Sequence, residues 1–354
     1  MQIYELDPLR DPRWAPFICG HSHASVFHTR EWLSSIHKTY GYQPVIVSTS
    51  QPGDKLNNGL VFCRIQSWLT GNRLVSLPFS DHCEPLVDSA DELDFLLHSL
   101  RTDLQRRGWN YVELRPASGE FEKNARQADF RPGESYFVHR LDLRSSLGQI
   151  FESLHKDSVQ RRIHRAEKAG VQYKCGRSKE LLADFYKLLV LTRKRHLSPP
   201  QPYTWFRNLL DCMGEKLDIR LAYKDAVPIA AILTLRFRNT TYYKYACSDA
   251  KFHNLGAMPA LLWNIVQASK ESGSEELDLG RSECENKGLV AFKDHWTRQR
   301  TALVYWRYAS STPASSSEAC KLQGWKLRMA KRTFACLPNR MLPIMGRLLY
   351  RHAG

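Results

Sequence analysis

No stretch of this 354-residue sequence approaches the run of about 18 uninterrupted apolar residues that crosses a bilayer. The start, MQIYELDPLRDPRW, lacks the apolar core of a secretory leader, so none is expected. No Cys-x-x-Cys pair occurs among the nine scattered cysteines, which argues against a zinc ribbon or a thioredoxin-like centre. Scattered, odd-numbered thiols suit a reducing compartment, and the chain reads as cytoplasmic. No Ser/His/Asp or Cys/His constellation is legible, and the 13 histidines are too dispersed to suggest a metal site.

Acidic residues are also in short supply. There are 36 Asp and Glu against 51 Lys and Arg, a net charge of +15. The imbalance peaks in residues 319–354, which hold eight Lys/Arg and no carboxylate side chain. Such an excess suits partners that carry phosphate: nucleic acid, anionic lipid, or nucleotide- and lipid-linked precursors.

What is present is a soluble globular composition, 43% hydrophobic and 25% charged, arranged as one plan written twice. In the first half FHTREWLSSIHK predicts a helix, followed by strands at 43–49, 59–65 and 73–79. Next comes a helix with Leu93, Leu96, Leu97, Leu100 and Leu104 at i, i+3, i+4 spacing. Gly108 ends it, and WNYVELRP predicts a strand. The second half repeats the order. A helix over 180–196, with Leu181, Phe185, Leu188, Leu189 and Thr192 on one face, precedes strands at 217–223, 227–237 and 241–247. A helix over 257–271 ended by Gly273 then leads to the strand ELDLG. Helix, three-strand antiparallel meander, helix, strand is the order of the GNAT-type acyltransferase core. The expectation is an α+β protein of two tandem GNAT-like domains, 1–145 and 146–309, facing a shared cleft.

Between the halves, IFESLHKDSVQRRIHRAEKAGV (150–171) reads as a basic helix carrying Lys156, Arg161, Arg162, Arg165 and Lys168. After residue 309 the composition shifts to SSTPASSSE, a flexible linker. The tail beyond it mixes Trp, Leu, Phe, Met and Tyr with eight cations, the pattern of an interfacial amphipathic segment. It predicts either contact with an anionic membrane surface through 319–354 or a helix packed back on the body.

Several motifs occur in a telling order. Glu31–Trp32 and Leu-Val-Ser-Leu-Pro-Phe-Ser-Asp (74–81) lie in the first half. The second half has Asn254-x-Gly256, the strand end Leu-Asp-Leu-Gly-Arg-Ser, and Gly-Leu-x-x-Phe-Lys-x-x-Trp (288–296). Together they resemble the FemAB-like branch of peptidyl- and acyl-transferases, nearest to the FemAB-related proteins that accompany bacterial exopolysaccharide and exosortase systems. The resemblance implies transfer of an acyl or aminoacyl group to an amine, with a glycan or lipid-linked envelope precursor as acceptor. It implies no tightly bound cofactor; the donor is aminoacyl-tRNA or acyl-CoA. The sequence departs from the family where Cys83–Glu84 replaces Gly-Gly and Thr297 replaces Gly. The lysine expected soon after Trp32 is out of register. A GNAT enzyme grips coenzyme A phosphates with Arg/Gln-x-x-Gly-x-Gly/Ala; here the stretch is His253–Asn254–Leu255–Gly256–Ala257–Met258.

The resemblance also assigns roles. Lys293, in the Phe-Lys element, would stabilise the tetrahedral oxyanion of acyl transfer, with Phe292 and Trp296 limiting water. On residue chemistry alone, it could equally be a surface lysine with its stem on Phe292. The amine must lose a proton, and Asp81 is the first candidate base, ahead of Asp278, Glu283 and Glu285. Lys156, Arg161, Arg162 and Arg281 would grip phosphate. Asn254 and Gly256 would line the donor turn, although Gly256 would serve equally well simply to start a helix. A CoA-dependent N-acetyltransferase and a non-catalytic subunit of a polysaccharide assembly system are the alternative functions.

Overall fold

A computed structural model describes residues 1–309 and 342–352, which form two compact units. Unit 1 comprises Met1–Tyr136 and takes up the chain again from Ala302 and from Leu349. Unit 2 comprises Phe137–Thr301, with residues 342–348. The sequence alone places the boundary at 145/146; the division found lies between Tyr136 and Phe137.

Unit 1 contains strands β1 (Tyr4–Leu6), β2 (Gln43–Ser48), β3 (Leu60–Ile65), β4 (Arg73–Val75) and β5 (Tyr111–Leu114). Its helices are α1 (Trp14–Gly20), α2 (Arg30–Tyr40), α3 (Ala90–Arg107) and α4 (Phe121–Gln127). Strand β6 (Arg131–Asp142) leads out of the unit, and β12 (Arg300–Ala309) returns to it and pairs antiparallel with β5. β2, β3 and β4 form the antiparallel meander, and β4 then pairs parallel with β5, as a helix crossover requires. The five leucines of α3 are all buried, each contributing about 2 kcal/mol against Val45, Phe62 and Trp306. Ser89 caps the start of α3 by accepting from the Glu92 N–H, and Gly108 ends it at φ +64°.

Unit 2 repeats the plan. α5 (Leu147–Ser153), α6 (Arg161–Lys168) and β7 (Gln172–Gly176) come first, then α7 (Lys179–Arg195) and α8 (Tyr203–Met213). The meander is β8 (Leu217–Lys224), β9 (Val227–Phe237) and β10 (Thr240–Ser248). α9 (Ala257–Glu271) crosses to β11 (Glu276–Glu283), which pairs parallel with β10. α10 (Lys287–Asp294) follows, and α11 (Leu342–Tyr350) closes the described chain. Among the described residues no helix is long and apolar enough to cross a membrane.

Some expectations change. The strand predicted over 73–79 stops at Val75, because Leu77 and Phe79 adopt left-handed backbone, φ +55° and +65°, that a strand cannot contain. The basic helix predicted over 150–171 is broken at Leu154–His155. The His155 ring accepts the Ser158 N–H there and starts a new turn. On α7 Leu182 is buried and Leu181 only partly so. Helix α8 was not expected, although Trp205, Phe206, Leu209 and Met213 all fall on its buried side. The linker, and the tail up to residue 341, lie outside the described residues.

Candidate active site

In unit 2 the strands β10 and β11 part company. Their parallel ladder joins Thr240 to Glu276, Thr241 to Leu277 and Tyr242 to Asp278, and ends there. Just beyond, a bulge between Tyr243 and Tyr245 sets Lys244 outside the β9 ladder and bends β10. β11 turns at the same level. Gly280 takes φ +70°, and the buried carboxylate of Asp278 accepts its N–H at 2.6 Å. A wedge between two otherwise paired strands is the opening that a tight meander and a parallel crossover can leave inside one sheet.

Lys293 stands on the last turn of α10 and is 2% exposed, which rules out a lysine with its head in water. Its ammonium donates to the carbonyls of Gly280 at 2.8 Å and Arg281 at 3.0 Å. Two carbonyl dipoles at the turned end of β11 thus meet its charge. With Asp278 on the Gly280 N–H, the strand end is pinned from both sides. Trp296 is buried in the core of this unit with Phe292 packed against that core, so these two act as hydrophobic support for α10. The His139 ring donates at 3.0 Å to the Asp294 carboxylate, which also meets Arg300 at 3.2 Å, fixing the end of α10.

The second feature is the turn before α9. Residues Ala250–Leu255 form a 3-10 turn, Gly256 follows at φ +77°, and α9 begins at Ala257. No acidic residue lies in its first turn and no side chain caps it, although Ala257 is buried and Pro259, at the third position, has no N–H to offer. Gly256 is required by more than helix geometry: a Cβ there would lie 2.2 Å from the Arg162 carbonyl oxygen, so α6 rests directly on the turn. Cations surround it. Arg165 donates to the Asn254 carbonyl at 3.3 Å, and Arg195 to the Ser248 carbonyl at 3.2 Å. His253 bonds Ser248 Oγ at 2.9 Å and titrates below its ordinary value, because of burial and the Arg195 and Arg162 charges. His295 is also lowered, by burial, His155 and Arg162. Burial is the larger cause in both, with the neighbouring cations adding to it against Asp249 and Asp294.

Among the sequence candidates, Arg162, Asn254 and Gly256 meet at this turn. Arg161 does not join them in the same way: its guanidinium is paired with Asp157 at 2.5 Å, both side chains largely exposed. Lys156 is exposed in the preceding turn, and Arg281 contributes its carbonyl to Lys293. Arg195 was not singled out from the sequence. It ends the run Arg193–Lys194–Arg195, which reads equally well as charges placed to suit the C-terminus of α7.

Asp81 lies in unit 1, while Lys293 lies in unit 2. Contrary to expectation Asp81 does not end a strand. It closes the left-handed turn after β4, where its carbonyl accepts the Tyr305 hydroxyl at 2.8 Å. The preceding Ser80 accepts the Trp32 indole N–H at 2.9 Å, and Arg115 donates to the Leu77 carbonyl at 3.1 Å. Of the other carboxylates, Asp278 is committed to Gly280, and Glu283 and Glu285 are exposed. Among the described residues no group of three His, Cys, Asp or Glu comes together to hold a metal ion.

Residues 153–293, which include both features of unit 2, match the family described as Acetyltransferase (GNAT) domain.

The chain carries a GNAT acyltransferase domain.

No curated protein matches the chain. Among solved structures, FemX is similar in fold at 12% identity, covering 87% of this chain and 97% of its own, with a TM-score of 0.69. L-PGS from Bacillus licheniformis aligns at 15% identity over 90% of this chain and 96% of its own, TM-score 0.56. A tandem GNAT protein from the clavulanic acid biosynthesis pathway aligns at 10% identity over 88% and 99%, TM-score 0.56. The chain thus shares the fold of these proteins, two GNAT-type cores in tandem, and its GNAT domain is of the acyltransferase kind.

Proposed function

We propose that the GNAT domain takes its acyl or aminoacyl group from a phosphate-bearing donor held at the start of α9. The acceptor in this reading is an amine on a cell-envelope glycan or a lipid-linked precursor of one, reached in the cytoplasm. The observation that carries the donor half is the uncapped, carboxylate-free first turn of α9 ringed by Arg162, Arg165 and Arg195. Anions bind such a turn through amide N–H groups and the helix dipole, and a guanidinium adds a forked, charge-assisted bond. Aminoacyl-tRNA and acyl-CoA both present phosphate near a reactive ester or thioester. The fold of FemX favours the first, and the tandem GNAT protein, described without AcCoA, keeps the second in view.

In the reaction the amine nitrogen attacks the donor carbonyl carbon, and the carbon–oxygen or carbon–sulfur bond breaks. The proton lost by the amine passes to the leaving oxygen or sulfur. Lys293 is assigned a positioning role rather than that of direct oxyanion donor. Two of its three N–H donors already hold the Gly280 and Arg281 carbonyls. It keeps β11 turned away from β10, so that an extended acyl chain can enter the wedge.

The test is transfer assayed separately with charged tRNA and with acyl-CoA, using amine-bearing glycan acceptors. Turnover with one donor identifies it, and turnover with neither ends the enzymatic reading. Arg162→Ala should lower kcat/KM about tenfold, whereas Arg161→Ala, which removes only an exposed pair with Asp157, should leave it within about twofold. Equal effects of the two would dismiss the proposed donor turn.

A further inference from the structure

The largest apolar exposure in the described chain has no part in acyl transfer. At the tip of the β3–β4 hairpin in unit 1, Trp68 is 87% exposed and Leu69 57% exposed. The tip is not loosely held. Ser67 Oγ meets His352 Nδ1 at 2.8 Å, and Thr70 Oγ1 and the Arg73 guanidinium both donate to the His352 carbonyl, at 3.0 and 2.9 Å. The His352 ring meets the Trp68 ring edge-on, centroids 5.6 Å apart. Tyr42 adds two bonds, to the carbonyls of Tyr350 at 3.2 Å and Arg351 at 3.0 Å. A large indole held outward on a latched hairpin is costly in water and calls for an apolar medium.

The helix that ends at this latch gives an independent observation. α11 faces the protein through Leu342 and Gly346, where a Cβ would lie 2.0 Å from the Pro200 carbonyl, with Met345 packed beside Val190. Its outer side carries Ile344 and Leu348, each 61% exposed, with the exposed cations Arg347 and Arg351 three residues further on from each. Aliphatic groups interleaved with arginine on a solvent-facing helix side suit the boundary of an anionic bilayer, where the chains dip and guanidinium groups meet lipid phosphate. A protein partner of ordinary charge would leave those arginines without complement, and the surrounding chain supplies a net +15.

We propose that the Trp68–Leu69 hairpin tip docks on an anionic lipid surface, the indole inserting at headgroup level. The proposal is independent of the acyl-transfer reading, since its readout needs no donor and no turnover. The full chain is mixed with vesicles of phosphatidylcholine alone and with vesicles of equal parts phosphatidylcholine and phosphatidylglycerol, then sedimented. Binding is expected to the anionic vesicles only and to weaken as salt is added. Trp68→Ala with Leu69→Ser, both at exposed positions, should reduce partitioning about tenfold with an unchanged circular dichroism spectrum. Brominated acyl chains should quench less fluorescence from Trp68→Phe than from the unaltered protein. A protein that stays in the supernatant with both vesicle types, or a hairpin variant that binds as well as the unaltered chain, overturns the proposal.

Discussion

The two helices that follow the two meanders, α3 in unit 1 and α9 in unit 2, occupy the same place in the same plan and begin in opposite ways. α3 starts with Ser89 capping its amides and with Asp91 and Glu92 in its first turn, so its dipole is already answered by its own carboxylates. α9 starts at Gly256 with no cap and no acid, with arginines gathered round the preceding turn. The same plan thus has one helix start answered by its own side chains and the other without such side chains. The meanders differ likewise: β4 ends after three residues in a left-handed turn, while β10 runs on for nine with a bulge and a parting from β11.

The largest effect should come from the glycine that sets α9 apart. Gly256→Ala forces a left-handed alanine into the Arg162 carbonyl, and about 3–5 kcal/mol of stability should be lost in urea unfolding. Gly108→Ala at the end of α3, at φ +64° but with open space round the new Cβ, should cost only about 1 kcal/mol. Equal losses would remove the close approach of α6 from the explanation.

Acid should next distinguish the units. In unit 1 the His28 ring is fully buried, accepts the Ser25 N–H at 3.0 Å and bonds the Glu84 carbonyl at 3.0 Å, so the neutral ring is satisfied on both nitrogens. Burial pulls its pKa from 6.5 to about 4. A histidine lowered in the folded state adds stability that is complete above pH 6.5 and lost as the pH falls toward 4, roughly 3 kcal/mol in all. His28→Gln should flatten the dependence of the urea midpoint on pH across that window; an unchanged slope would mean that other groups carry it.

Lys293→Met keeps the volume but strips two carbonyls of their donor, an expected loss of about 2 kcal/mol with kcat lowered more than KM. Full activity in that variant would free the wedge from any dependence on Lys293. The smallest effect tests the helix comparison directly. Asn254→Asp, at an exposed position, gives α9 the kind of carboxylate that α3 has, and donor affinity should fall about threefold to tenfold with stability unchanged. A donor that binds as before would sit elsewhere.

Much of this was legible in the residues. The leucine spacing of α3, the ends of α9 at Gly256 and Gly273, and the two meanders all follow from local period and turn chemistry. The repeated order was enough to indicate tandem GNAT-like cores. Local rules failed where distant partners decide. The strand after Arg73 is cut short by a turn fastened by Trp32, Arg115 and Tyr305, each far away in sequence. The basic segment 150–171 has a helical period throughout, yet it breaks at His155, whose N–H donates to the distant His295 carbonyl at 3.0 Å.

Lys293 shows the division most plainly. Its apolar and aromatic neighbours already implied that the ammonium had a particular negative partner, since an unanswered buried charge is too costly to keep. The identity of that partner lay in Gly280 and Arg281, brought near only by the packing of α10 on β11. Period, caps and composition indicated most of the helices and strands and a large positive excess, because those depend on neighbours along the chain. Which arginines meet at Gly256, and which groups Lys293 holds, depended on tertiary structure, because hydrogen bonds form between residues close in space whatever their separation in sequence.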